Sequence, residues 1–346
     1  MAAADASLPG EDAIRAIPLI DMARYYAGDA AAKRALAREV DAACRDTGFL
    51  TVAGHGIQTA LTDSVIRVAR QFFALPLEEK LLFRGPPDTQ LRGYTPFMAH
   101  RLARSRGVEA PPDLREAFSL GRPAIMPGHQ VADPDAASFY RPNVWPDRPA
   151  DFRAVYTEYY TQVDRLARDL MRVFALALDL EETYFDDKID DHFAALNTFF
   201  YPAQTDRPQD GQFRAGAHSD FGSLTILLQE AHAGGLEVMG KDGAWHYVPP
   251  QPGRFVINIG DLMAQWTNDR WCSTLHRVVN LPGETVAPHS RVSVGFFCHP
   301  NFETMIQCLP SCLDADGHST YQPVKSGTYM RRKILAVRTP PAASAA

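Results

Sequence analysis

Sulfur is scarce in this sequence: Cys44, Cys272, Cys298, Cys308 and Cys312 are the five cysteines among 346 residues, and none lie in a Cys-x-x-Cys pair. An odd count without paired spacing argues against a disulfide framework and reads as reduced thiols in a cytoplasmic protein. Long apolar runs are missing too. No stretch of about eighteen apolar residues occurs, and Met1 to Gly10 holds no basic segment leading into one, so neither a membrane span nor a signal peptide is expected. Excess positive charge is also lacking: 35 Lys and Arg stand against 41 Asp and Glu, giving a formal net charge of −6 and a pI of about 6.0. That balance argues against nucleic-acid and anionic-membrane partners and leaves a small molecule as the expected one. Repeats of fixed period are absent, and nothing in the sequence marks an oligomeric state.

What is present is a soluble globular composition, 46% apolar and 22% charged, with ample chain for a large core. The informative stretch runs from Gly216 to Phe297. It contains His218-Ser219-Asp220, then His276, then Arg291-Val292-Ser293. Side chains two apart share a face of a strand but diverge by about 200° on a helix, so His218 and Asp220 can share a ligand only from extended chain. The neighbouring runs Leu224–Leu228 and Arg254–Ile259 are apolar, β-branched and bounded by Gly and Pro, as strands are. His276 lies 276 − 220 = 56 residues after Asp220 in another strand-like run, Thr274–Val279. Two imidazoles and one carboxylate leave half an octahedron open, the ligand set of non-haem Fe(II) oxygenases. Arg291 and Ser293 repeat the two-residue offset. They put a guanidinium fork and a hydroxyl on one face, the chemistry of a carboxylate receptor. Alone, each part has an ordinary explanation, a chance His-x-Asp or a core histidine; together they describe one site.

In this order the residues resemble the 2-oxoglutarate and Fe(II)-dependent dioxygenases of the isopenicillin N synthase-like group. The resemblance extends to Ile17-Pro18-Leu19-Ile20-Asp21, Asp46-Thr47-Gly48-Phe49-Leu50, Gly54-His55-Gly56-Ile57, Phe72-Phe73-Ala74-Leu75-Pro76 and Arg92-Gly93-Tyr94, and covers roughly residues 16 to 335. It implies His218, Asp220 and His276 as metal ligands and catalytic centre, with Fe(II), 2-oxoglutarate and O2 as cofactor and co-substrates. Arg291 and Ser293 would hold the far carboxylate of 2-oxoglutarate. Tyr201, in the Tyr-Pro position from which relatives offer a phenol to that carboxylate, is either a third contact or a packed strand tyrosine. Phe199 departs from the family pattern, standing where an asparagine often sits beside the co-substrate. The implied reaction couples oxidative decarboxylation of 2-oxoglutarate to hydroxylation, desaturation or cyclisation of a small molecule. Two alternatives stay open: a family oxidase that does not use 2-oxoglutarate, and a Zn-dependent hydrolase or metal-stabilised binding module on the same ligands.

The expected fold is α+β, a double-stranded β-helix (jelly-roll) core with N-terminal and buttressing helices. Length alone suggests about two domains; the resemblance instead implies one, over 16–335, between a flexible 1–15 and a disordered 336–346. Within it lie an N-terminal helical region and loop (16–123), buttressing helices (150–192) and the jelly-roll core (193–310). Amphipathic spacing predicts helices over 30–46, 59–74 and 150–178, with a shorter one over 181–187. Residues 84–123 carry seven arginines and weak periodicity, and read as a connection whose arginines pair with Glu109, Asp113 and Glu116, or as a substrate lid. His232, His246, His289 and His299 have no carboxylate at strand spacing and are expected to be structural or exposed.

Overall fold

The computed structural model describes residues 17–85, 91–124, 134–231, 234–280 and 288–337. The N-terminal part opens with β1 (Leu19–Asp21), α1 (Ala23–Ala27), α2 (Ala30–Asp46), β2 (Phe49–Ala53), α3 (Thr59–Phe73) and α4 (Leu77–Leu81). The Asp29 carboxylate caps α2 by accepting from the amides of Ala31 and Ala32. Gly48, at φ 67°, then turns the chain into β2 with no room for a side chain, because an added Cβ would meet the Cys272 carbonyl. Next come β3 (Gly93–Thr95), β4 (Glu116–Leu120), α5 (Pro134–Ala137) and the long α6 (Phe152–Ala177). The core strands follow: β5 (Ala195–Tyr201), β6 (Ala215–His218), β7 (Leu224–Gln229), β8 (Leu236–Met239), β9 (Trp245–Tyr247) and β10 (Phe255–Ile259). After α7 (Asp261–Trp266) come β11 (His276–Val278) and β12 (Arg291–Cys298). A small hairpin, β13 (Met305–Ile306) with β14 (Val324–Lys325), leads into α8 (Ser326–Val337).

These strands form an eight-stranded sheet, ordered β1-β2-β10-β7-β12-β5-β4-β3, and a four-stranded sheet, β6-β11-β8-β9. Together they make the jelly-roll core. Helix α6 carries Tyr156, Tyr159, Val163, Leu166, Leu170 and Phe174 at three- and four-residue spacing, and all are buried. Burying each such side chain contributes roughly 1.5–3 kcal/mol. The helix is also pinned by polar contacts: Tyr156 Oη lies 2.7 Å from Thr198 Oγ1 of β5, and the Asp164 carboxylate lies 2.5 Å from Nε2 of the buried His192. One apolar cluster takes residues from α2, α3, α6, both flanks of the large sheet and α8.

Two expectations need correction. Residues 181–187 form turns and a 3-10 segment at Asp186–Lys188 instead of an α-helix. Asp186 and Asp187 would sit at that helix's C-terminus, where carboxylates oppose the macrodipole; Asp186 pairs with Arg172 at 2.9 Å instead. Residues 91–120 are also more ordered than a loose connection. β3 and β4 extend the large sheet beside β5, and the buried Glu116 carboxylate accepts from Lys80 at 2.7 Å and from the Tyr94 hydroxyl at 2.6 Å. Glu116 therefore serves Lys80 and not an arginine, whereas Arg104 does pair with Glu109, at 3.0 Å. The expected N-terminal tail lies outside the described residues, and so does the C-terminal one except that α8 runs through Val337.

Candidate active site

His218 ends β6 and His276 begins β11, and the two residues are direct partners across the antiparallel pair. Each imidazole is oriented by its own strand. His218 Nδ1 lies 2.8 Å from the Gly216 carbonyl and His276 Nδ1 3.1 Å from that of Thr274, so Nδ1–H donates and Nε2 is left with its lone pair. Both Nε2 atoms lie 3.7 Å from Asp220 Oδ1, too far for a hydrogen bond, and all three atoms fall within 4.8 Å of one another. The other carboxylate oxygen, Oδ2, accepts from Thr225 Oγ1 at 2.5 Å and from Asn258 Nδ2 at 2.7 Å. Asp220 can therefore turn only one oxygen toward the imidazoles.

The charge states suit a cation. Burial, reinforced by the neighbouring His276, holds the His218 imidazole down at about 3, with Arg115 adding to the effect, so it is neutral near pH 7. For Asp220 burial pushes upward, but the two imidazoles and the Asn258 and Thr225 hydrogen bonds outweigh it and keep the carboxyl below its usual range. Two imidazole lone pairs and one carboxylate oxygen, converging and unbonded to each other, fit a divalent ion such as Fe(II).

The second constellation lies on β12. Arg291 and Ser293 are each 1% exposed; Arg291 Nη1 donates to Ser293 Oγ at 3.1 Å and Nη2 to Gln229 Oε1 at 3.2 Å. Tyr201 on β5 faces Arg291 in the register, and the guanidinium lies over its ring at 4.9 Å. Triad, Arg291, Ser293 and Tyr201 all line one cavity of about 220 Å³.

Other residues of this cavity were not singled out from the sequence. Thr225 and Asn258 fix Asp220; each is a polar residue in a mainly apolar strand, a signal that does not say which carboxylate it serves. Asn197, in β5, presents an amide whose Oδ1 has no partner among the described residues. His299, expected to be structural or exposed, is 6% exposed and lines the cavity. His55, in the Gly54-His55-Gly56 turn, is structural, accepting from the Ile57 amide through Nδ1. His246 pairs with Asp242 at 3.0 Å, away from the site, and His232 lies outside the described residues.

Comparison with known proteins agrees with this geometry. The family described as "non-haem dioxygenase in morphine synthesis N-terminal" matches residues 17–148, and the 2OG-Fe(II) oxygenase superfamily matches residues 191–300. A 2-oxoglutarate-Fe(II) type oxidoreductase, hxnY of Emericella nidulans, is 35% identical over 89% of this chain and 86% of its own. A homoarginine-6-hydroxylase of Oryza sativa subsp. japonica is 35% identical over 86% of this chain and 87% of its own. The crystal structure of a full-length Neurospora crassa protein in complex with alpha-KG superposes with a TM-score of 0.80 at 31% identity, over 94% of this chain and 98% of that one. The ligand pattern, the jelly roll around it and the likeness along nearly the whole chain have one source: this chain belongs to the 2-oxoglutarate- and Fe(II)-dependent oxygenases of the isopenicillin N synthase-like group.

Proposed function

We propose that His218, Asp220 and His276 hold the Fe(II) on which this oxygenase depends, and that Arg291 and Ser293, with Tyr201, hold the far carboxylate of 2-oxoglutarate. The observation that carries this reading is the opening of both constellations onto one cavity: a three-atom cation site and a buried guanidinium fork with a hydroxyl beside it. Bound there, Fe(II) supplies the redox centre that couples oxidative decarboxylation of 2-oxoglutarate to oxidation of a substrate C–H bond. The chain's own part is positional. Carbonyls of Gly216 and Thr274 set the imidazoles, Thr225 and Asn258 set the carboxylate, and the guanidinium of Arg291 fixes one end of the co-substrate. The substrate is a small molecule taken into the remaining cavity. The Neurospora crassa protein has also been solved with thymine and with 5-formyluracil, which supports that size class.

A Zn hydrolase on the same ligands would form no succinate, which separates the two readings. The test is direct. His218→Ala, Asp220→Ala and His276→Ala should each lose Fe(II) in equilibrium dialysis and stop forming succinate while keeping the native circular dichroism. Arg291→Lys should weaken 2-oxoglutarate binding, and Arg291→Leu should weaken it further, by roughly 1.5–3 kcal/mol. Normal iron retention in any triad variant removes that residue from the ligand set, and unchanged co-substrate affinity in both Arg291 variants favours an oxidase that does not use 2-oxoglutarate.

A further inference from the structure

Among the described residues, the cavity lining holds more positive charge than the proposed iron and co-substrate use. That described lining contains three arginines, Arg92, Arg115 and Arg291, against one carboxylate, Asp220. On the reading above, Asp220 and one carboxylate of 2-oxoglutarate balance the divalent ion, and the other carboxylate balances Arg291. Arg92 and Arg115 remain. Arg92 donates to the backbone carbonyls of Leu91 and Phe139 and has no carboxylate partner among the described residues.

Arg115 is the less satisfied of the two. Its side chain is 7% exposed, its guanidinium makes no hydrogen bond to any described residue, and its ion-pair contact is Asp113 at 3.8 Å. The Asp113 oxygens already accept from the Gly216 and Leu102 amides, at 3.0 and 3.2 Å. The guanidinium lies over the Phe199 ring at 4.3 Å, which fixes its plane. Nε is buried without an acceptor and neither Nη hydrogen-bonds a described residue, so the fork offers its donors to whatever acceptor enters the cavity. Asp113 lowers the net surplus to one positive charge, but at 3.8 Å it leaves the Arg115 donors unused, whereas Arg92 already donates to two carbonyls, so Arg115 is the fork with room for an anion.

We propose that the substrate is a small carboxylic acid with an apolar body, its carboxylate seated on Arg115 above Phe199. This inference rests on the iron and co-substrate reading, because it assigns Arg115 only after those charges have been matched. The apolar body follows from the remaining lining: Leu102, Phe139, Phe193, Phe297, Met330 and Ile334. Phe199 has a role in the same picture, as the flat support that holds the fork where relatives often carry an asparagine.

The experiment uses the full chain loaded with Fe(II) and 2-oxoglutarate under nitrogen, and titrates benzoate, phenylacetate, cinnamate and hexanoate against their primary amides by calorimetry. The expected result is that acids bind and the matching amides bind at least about ten-fold more weakly. Arg115→Gln should erase that preference and Arg115→Lys should reduce it, with 2-oxoglutarate affinity unchanged in both. If no acid outbinds its amide in the wild-type protein, or the preference survives in Arg115→Gln, the proposal is wrong. It is equally wrong if Arg115→Gln loses 2-oxoglutarate instead, which would make Arg115 a co-substrate contact. Should Arg115→Gln fail to fold, the wild-type acid-amide ratio and its change in Arg115→Lys decide between the same two answers. A wild-type protein that takes up neither Fe(II) nor 2-oxoglutarate would overturn the underlying reading.

Discussion

At the scale of single residues, the convergence of His218, Asp220 and His276 was legible because extended chain turns a two-residue offset into a shared side, which Arg291-x-Ser293 does within β12 and His218-x-Asp220 does where the chain leaves β6. The residues that orient Asp220 were not legible. Thr225 is five residues from Asp220 and Asn258 thirty-eight, and only the pairing of β7 with β10 brings them to one carboxylate. The same blindness hid His299 and Arg115, whose surroundings come from distant strands. Burial holds the His299 imidazole down at about 3, and lowers His55 and His192 as well. A histidine whose native pKa lies below its ordinary value of about 6.5 binds its proton more readily in the unfolded chain, so it lends stability above pH 6.5 that drains away as the pH falls toward 3. Urea midpoints should therefore drop between pH 7 and pH 5. His299→Gln should flatten that slope by up to about 1.4 kcal/mol per pH unit; an identical slope in the variant would show that His299 is not kept neutral by the fold.

At the scale of elements, periodicity located α2, α3 and α6 because each carries an apolar stripe long enough to count. It failed for β3 and β4, which are three and five residues long and set among arginines whose partners lie elsewhere. Residues 84–123, read from the sequence as either a connection or a lid, supply only part of the cavity wall. β4 and its flank contribute Arg115, Ala117 and Ser119, while α8 contributes Met330, Ile334 and Val337. Helix α8 is tied down through Asp261 at the start of α7. That carboxylate accepts from the Tyr329 hydroxyl at 2.8 Å and from Ser273 Oγ at 2.7 Å, and pairs with Lys333 at 2.9 Å. Asp261→Ala removes all three contacts. Amide exchange in 326–337 should then accelerate about ten-fold or more, while α6 stays as slow as before and Fe(II) still binds. Equal acceleration in both helices would mean that the substitution loosens the whole protein and that Asp261 is no local latch.

At the scale of the whole molecule, the jelly roll and its iron chemistry were readable from the resemblance. The way the N-terminal region closes the sheet was not, since strand order is a property of pairing over long distances. The first 120 residues supply β1 and β2 at one edge of the large sheet and β3 and β4 at the other, with β10, β7, β12 and β5 between them. Among the described cysteines all five are free, so no covalent staple assists this closure. Residues 17–124 expressed alone should be insoluble or unfolded, because β2 and β4 would have lost the strands they pair with; a soluble fragment with a cooperative melt would contradict this. The same arrangement has a consequence during synthesis. Val52 pairs with Phe255, 255 − 52 = 203 residues later. At roughly 5–20 residues per second, the edge of β2 that faces β10 waits about 10–40 s for its partner to be made. Closure of the N-terminal edge is thus a late event in the birth of each molecule, and until then the open edge of β2 is a template on which another chain could pair.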